Sequence, residues 1–189
     1  SHLKNYTKLN DNADQSIYDN PVWHIHSGKP PKKFPDVQYS LLLNLVSASN
    51  SESKDILWGF LKSYYDSATL YENRDAIDKM IGFAINYFNQ FVKPKKQYRK
   101  ANQNEKAALN ELLETLNNFV DEKDPEIIQS EIYRIGKEHQ FEQLREWFIS
   151  IYEILLGQTD GPRFGSFILI YGVENTQKLI KDALDGKLL

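Results

Sequence analysis

The chain has 189 residues and no cysteine. That excludes disulfides and cysteine-ligated zinc and leaves the redox compartment open. Met80 is the single methionine. No apolar run approaches the roughly 20 residues of a membrane-crossing helix, and no apolar stretch follows Lys4 to form a secretory signal. These absences lead us to expect a cytoplasmic protein with no membrane partner. Also missing are a glycine-rich phosphate loop of either common spacing, an HExxH helix and a nucleophile elbow. Carboxylate pairs such as Glu52 and Asp55 read as surface residues of a helix start, so no catalytic residue is expected. A basic excess is lacking too, since the net charge is −3. That argues against a generic nucleic-acid binder and against DNA.

What is present suits a folded domain. Apolar residues make up 41% of the chain and aromatics 13%, enough for one core. The opening Ser1-His2 reads as an expression remnant, so more sequence is expected upstream. Residues 1–20 are polar without a sustained period and read as an extended or disordered arm. Pro21, Pro30, Pro31, Pro35 and Gly28 make 21–35 an extended connector. We therefore expect an arm and connector over 1–34 and a helical domain over 35–189. His24 and His26 invite a metal reading, but neighbours at i and i+2 point to opposite sides of an extended segment, and no metal site is expected.

After Pro35 the chain reads as helices. Asp36 can cap the first, whose residues Tyr39, Leu42, Leu43, Leu45 and Val46 are apolar nearly all round; Asn44 among them needs a partner. Ser53 can cap a second, with Trp58 off its apolar stripe. Asn73 or Arg74 opens a third, carrying Ile77, Met80, Ile81, Ala84, Ile85, Phe88, Phe91 and Val92 as a core stripe, which Pro94 is expected to end. Asn102 or Asn104 starts another. Asp124 caps the next, with Pro125 first and Gly136 a mild break. Phe141, Leu144, Trp147, Phe148, Ile151, Tyr152 and Leu155 form a strongly amphipathic helix. Seven or eight helices with short links and no strand predict an all-α bundle.

Two stretches stand out as candidate sites. Residues 91–100 (FVKPKKQYRK) hold Lys93, Lys95, Lys96, Arg99 and Lys100 around Tyr98 with no acid. Cations suit phosphates, and flat rings suit unpaired bases; the same residues also suit a charged helix end. Residues 157–161 (GQTDG) form a loop before Pro162, expected at a first helical position, with Arg163 in the first turn and Phe164 beside it. Gly172 is expected to end this short helix and start another. A helix start with loop amides and a guanidinium can receive an anion or a base edge; on pattern alone, a helical corner with Arg163 paired to a surface carboxylate is the favoured reading.

The stretch 155–184 resembles the end of the anticodon-binding helical domain of class I lysyl-tRNA synthetases. The likeness continues through PVWHIHSGKPP (21–31), YSLLLNLVSASN (39–50), LWGF (57–60), FVKPKKQYR (91–99) and WFISIYEILLGQ (147–158). Glutamyl-tRNA synthetases share the terminal layout, but the 39–50 match favours the lysyl class. The resemblance implies an α-helix cage that binds the anticodon stem-loop of tRNA(Lys), as a monomer. Lys93, Lys95, Lys96 and Arg99 would hold phosphates, Tyr98 would stack, and Arg163 and Phe164 would lie near the bases. It also implies a full-length ligase using ATP with magnesium, whereas this chain needs no cofactor. HIHSG (24–28) and KMIGF (79–83) do not match that class's two ATP-site signatures, so the chain is expected to be inactive alone. Two other readings stay open: a protein-interaction bundle whose basic segment docks an acidic partner, and a free-standing relative that binds another RNA.

Overall fold

The first helix begins only at Tyr39 in the computed structural model, which describes residues 37–189. The expected arm and connector, His24, His26 and the capping role of Asp36 lie outside the described residues. Those described hold nine α-helices and no strand, an all-α architecture. Helix α1 (Tyr39–Ser49) buries Leu41, Leu42, Leu45 and Val46. Asn44 is satisfied within its own helix, donating to the Ser40 carbonyl at 2.6 Å. Asn50 ends α1 with φ at 47°, a left-handed conformation that asparagine tolerates better than most residues.

Helix α2 (Lys54–Tyr64) starts after Ser53 as expected, but the Ser53 side chain makes no cap bond. Ser51 ties the turn instead, its hydroxyl accepting the Ser53 N–H at 3.1 Å. Trp58 is half-buried and donates its indole N–H to Asp78 on the fourth helix at 3.3 Å. A short helix that hydrophobic spacing missed, α3 (Ser67–Glu72), is capped by Asp66, which accepts the Thr69 N–H at 2.8 Å. Helix α4 (Arg74–Tyr87) follows.

Pro94 does not end α4 as expected. The α-helix gives way to a π turn at Phe88–Val92 and then a 3-10 turn at Lys93–Lys95 that contains Pro94. Proline fits there because the opening positions of a helical turn have no N–H bond to lose. Helix α5 (Gln103–Thr115) opens with a reciprocal capping box between Asn102 and Glu105 and runs into a 3-10 turn, Leu116–Phe119. Helix α6 (Pro125–Glu138) begins as expected, with Asp124 accepting the Glu126 N–H at 2.9 Å. Gly136 does not break α6. It is a contact point with α7 (Leu144–Leu155), where a Cβ would lie 2.6 Å from the Trp147 ring.

Helices α8 (Phe164–Tyr171) and α9 (Val173–Leu184) join at Gly172, whose φ of 97° and ψ of 140° suit glycine alone. Helix α8 packs against α1, α2, α6 and α9, and Phe164, Phe167 and Ile168 are 0% exposed. Its start differs from the expectation. Pro162 and Arg163 precede the helix, with Arg163 in the N-cap position. Two side chains from outside set that boundary: Tyr152 donates its hydroxyl to the Pro162 carbonyl at 2.6 Å, and buried Gln129 accepts the Gly165 N–H at 2.9 Å.

Candidate nucleic-acid interface

Two stretches far apart in sequence, the basic segment and the GQTDG loop, meet on one face. The backbone N–H of Gln97 donates to the Gly157 carbonyl at 3.0 Å. Gly157 has φ at 66°, and a Cβ there would press on the Tyr98 ring at 3.2 Å, so glycine serves both the turn and the close approach. Both stretches also hold the end of α1. Gln158 donates its amide to the Ser47 hydroxyl at 2.7 Å. The Lys96 ammonium donates to the Ser47 carbonyl at 2.9 Å and to the Asn50 side chain at 3.3 Å.

The seven residues expected to touch RNA divide by environment. Lys93 is exposed and paired with Glu52 at 3.0 Å, a surface contact worth about 1 kcal/mol or less. Lys95 is exposed and has no hydrogen-bonding or ionic partner among the described residues. Lys96 is turned inward, its ammonium 4.8 Å from the Tyr98 ring centre and 5.5 Å from that of Phe88. Burial pushes its pKa down to about 8. Tyr98 is half-buried; burial raises its hydroxyl pKa, offset in part by a hydrogen bond with Asn50. Arg163 is exposed at the far end of the loop and paired with Glu126. Phe164 is 0% exposed, stacked on Phe167 at 5.4 Å with its edge toward Tyr152. As it stands it offers no face to a base, because the apolar side of α8 puts it in the core.

Arg99 is a clamp within the fold. Its two terminal nitrogens each donate to the Glu105 carboxylate at 2.8 Å, its Nε donates to Glu153 at 2.6 Å, and Ser150 accepts at 3.2 Å. Burial works against a charged Glu105. The Arg99 bonds, the Asn102 N–H and the Ser150 hydroxyl outweigh it and hold the carboxyl near a pKa of about 2. The network joins the segment to the start of α5 and to α7.

Beside the segment lies a cavity of about 480 Å³, within the range of about 300–1,000 Å³ typical of ligand pockets. Phe91, Lys95, Gln97 and Tyr98 of the segment and Gln158, Thr159 and Asp160 of the loop line it. Phe91 is 52% exposed. The side chains of Gln97, Thr159 and Asp160 make no hydrogen bond or ion pair among the described residues. Sequence reasoning missed Phe91 and Gln97 as lining residues. Phe91 had the spacing of a core position, but the π turn rotates it out of the stripe. No three metal-binding side chains converge among the described residues.

Curated relatives of this chain are lysine–tRNA ligases. It is 47% identical over 171 residues to the lysine–tRNA ligase of Roseobacter denitrificans, covering 90% of this chain and 32% of that protein. The lysine–tRNA ligase of Rickettsia conorii is 43% identical over 168 residues, 88% of this chain and 32% of that protein. That of Rickettsia felis is 41% identical over 172 residues, again 32% of its length. The chain thus spans about a third of the length of these relatives. No protein-family model matches the chain, and no solved structure matches it significantly. The sequence likeness to lysyl-tRNA synthetases is borne out at this level, across nearly the whole chain.

Proposed function

We propose, from a chain whose sequence follows lysine–tRNA ligases over nine-tenths of its length, that it is the C-terminal anticodon-binding region of a class I lysine–tRNA ligase. The full-length enzyme would join lysine to tRNA(Lys) using ATP and magnesium, in the cytoplasm, with the catalytic residues outside this chain. The region itself would act as a monomer and grip the anticodon stem-loop.

The observation that carries this reading is the convergence of the basic segment and the 157–160 loop on one face through the Gln97–Gly157 bond. Lys93 and Lys95 stand exposed there and suit phosphate oxygens. Arg163, whose ion pair with Glu126 is solvent-exposed, can exchange a carboxylate for a phosphate at little cost. The neighbouring cavity suits an unstacked base. The internal engagement of Arg99 and Lys96 supports a preformed surface, which reduces the ordering that binding would otherwise demand.

The test is a titration of the chain against lysine tRNA transcript at two salt concentrations. Glutamate tRNA and an anticodon-swapped lysine tRNA serve as controls. Preference for the lysine anticodon, weakened by Arg163→Ala, is the expected result. Equal and steeply salt-dependent binding to all three would leave only a general RNA-holding surface. Binding to none at low salt would sink the anticodon role of this chain.

A further inference from the structure

Resting on the anticodon-binding reading, we infer that an aromatic row on the outside of α4 is a docking surface for the part of the full-length ligase that precedes this chain. Phe83 and Tyr87 form the row, with Tyr39 of α1 at its side.

The row is an outer helix face with the composition of an inner one. Phe83 is 63% exposed, Tyr87 45% and Tyr39 37%. Positions 83 and 87 are one turn apart, so their rings are neighbours on one side of α4. Phe91 carries the row on into the π turn, its ring centre 5.2 Å from that of Tyr87. Helix α1 packs on α4. Burial and, after it, the Tyr87 hydroxyl raise the pKa of Tyr39, so the two tyrosines are neighbours across the helices. The core side of α4 is already complete, with Ile77, Ile81, Ala84 and Ile85 buried. The exposed rings are therefore a second apolar face, which the core of this domain does not use.

Charge points the same way. Residues 80–92 (MIGFAINYFNQFV) carry no charged side chain, in a chain that is 26% charged. Asn86 and Gln90, the other exposed positions there, are neutral. Aromatic enrichment with loss of charge marks the buried centre of a protein interface rather than open surface. RNA is a poor occupant, because these residues offer no cation to meet a phosphate.

The occupant follows from the way into the fold. The matched region is 32% of the length of the Roseobacter ligase, so most of a full-length ligase lies outside this chain. The described fold begins at Val37, beside Tyr39. A preceding part is thus joined to the fold at the edge of the row. A covalent tether raises its effective concentration there, so a modest patch suffices to hold it.

The experiment compares hydroxyl-radical footprints, read by mass spectrometry, of this chain and of the full-length ligase that contains it. Oxidation of Phe83 and Tyr87 should slow severalfold in the full-length enzyme, whereas Tyr133, 40% exposed on α6, should react equally in both. With Phe83 replaced by the photo-crosslinking residue p-benzoylphenylalanine, irradiation of the full-length enzyme should join position 83 to a peptide of its own preceding sequence, with or without tRNA. Equal footprints in the two proteins, a crosslinked dimer or a crosslink to tRNA each overturns the docking surface. Any of these, with preference for lysine tRNA over glutamate tRNA intact, leaves the anticodon reading standing. Loss of that preference overturns the reading, and the occupant with it.

Discussion

Arg99 and Glu105 form a two-pronged ion pair, both oxygens of the carboxylate accepting at 2.8 Å, although sequence alone suggests Arg99 as a phosphate contact. Glu105 is 4% exposed and also completes the capping box of α5. One carboxylate thereby fixes a helix start and the basic segment together. Glu105→Ala leaves a guanidinium with one carboxylate partner fewer and the Asn102 N–H unpaired. It should lower stability by about 2–3 kcal/mol, measured by urea unfolding at pH 7.

The same pair makes stability acid-sensitive. Glu105 is held near a pKa of about 2, below its ordinary 4.5. Its contribution is complete above about pH 4.5 and is lost as pH falls toward 2. Stability of the parent should therefore fall across that window more steeply than in Glu105→Gln, which has no proton to gain; parallel curves would refute the assignment.

Lys96 shifts stability with the same sign at the alkaline end. Burial lowers its pKa from 10.5 to about 8, so between pH 8 and 10.5 the unfolded chain holds a proton that the folded chain has released. Stability contributed by this group rises with pH through that window. In the chain carrying ¹³C-methylated lysines, one NMR signal should titrate near pH 8 and disappear in Lys96→Met.

The salt dependence of RNA binding should separate contacts from clamps. Lys95→Ala removes an exposed cation without an internal partner and should lower the slope of log K against log salt by about one. Arg99→Ala should leave the slope within error of the parent while weakening binding at every salt concentration. A matching drop in slope for Arg99 would restore it as a phosphate contact.

Gly165 is where α8 crosses α6. A methyl group there would overlap the Pro125 carbonyl and crowd Gln129 at 3.0–3.1 Å. Backbone cannot yield as a flexible side chain can, so Gly165→Ala should cost about 2 kcal/mol or more and lower Tm by roughly 4–8 °C. Gly59→Ala, with no atom within 4 Å, is the control and should leave Tm unchanged or raised.

Much of this was legible in the chain. Apolar spacing placed eight of the nine described α-helices; the cap at Asp124 was read correctly, and Asn102 was one of the two starts offered for its helix, because caps are local chemistry between neighbours. Helix α3 went unseen because six residues are too few to show a period. Pro94 misled because it stands inside a 3-10 turn, where its missing N–H costs nothing. Gly136 misled because its reason is a tryptophan on another helix.

The all-α class, the basic stretch around Tyr98, the GQTDG loop and the likeness to lysine–tRNA ligases can be read along the chain, since each is written in residues close together in it. Which cations are free follows from the folding of the chain. Lys95 and Arg99 look equivalent in the sequence, yet one has no internal partner and the other is clamped by Glu105 and Glu153 from two other stretches. Folding also brought residue 97 to residue 157 and opened a cavity between their neighbours. Those outcomes depend on helix packing, which sets distances between residues far apart in sequence, and no local pattern encodes them.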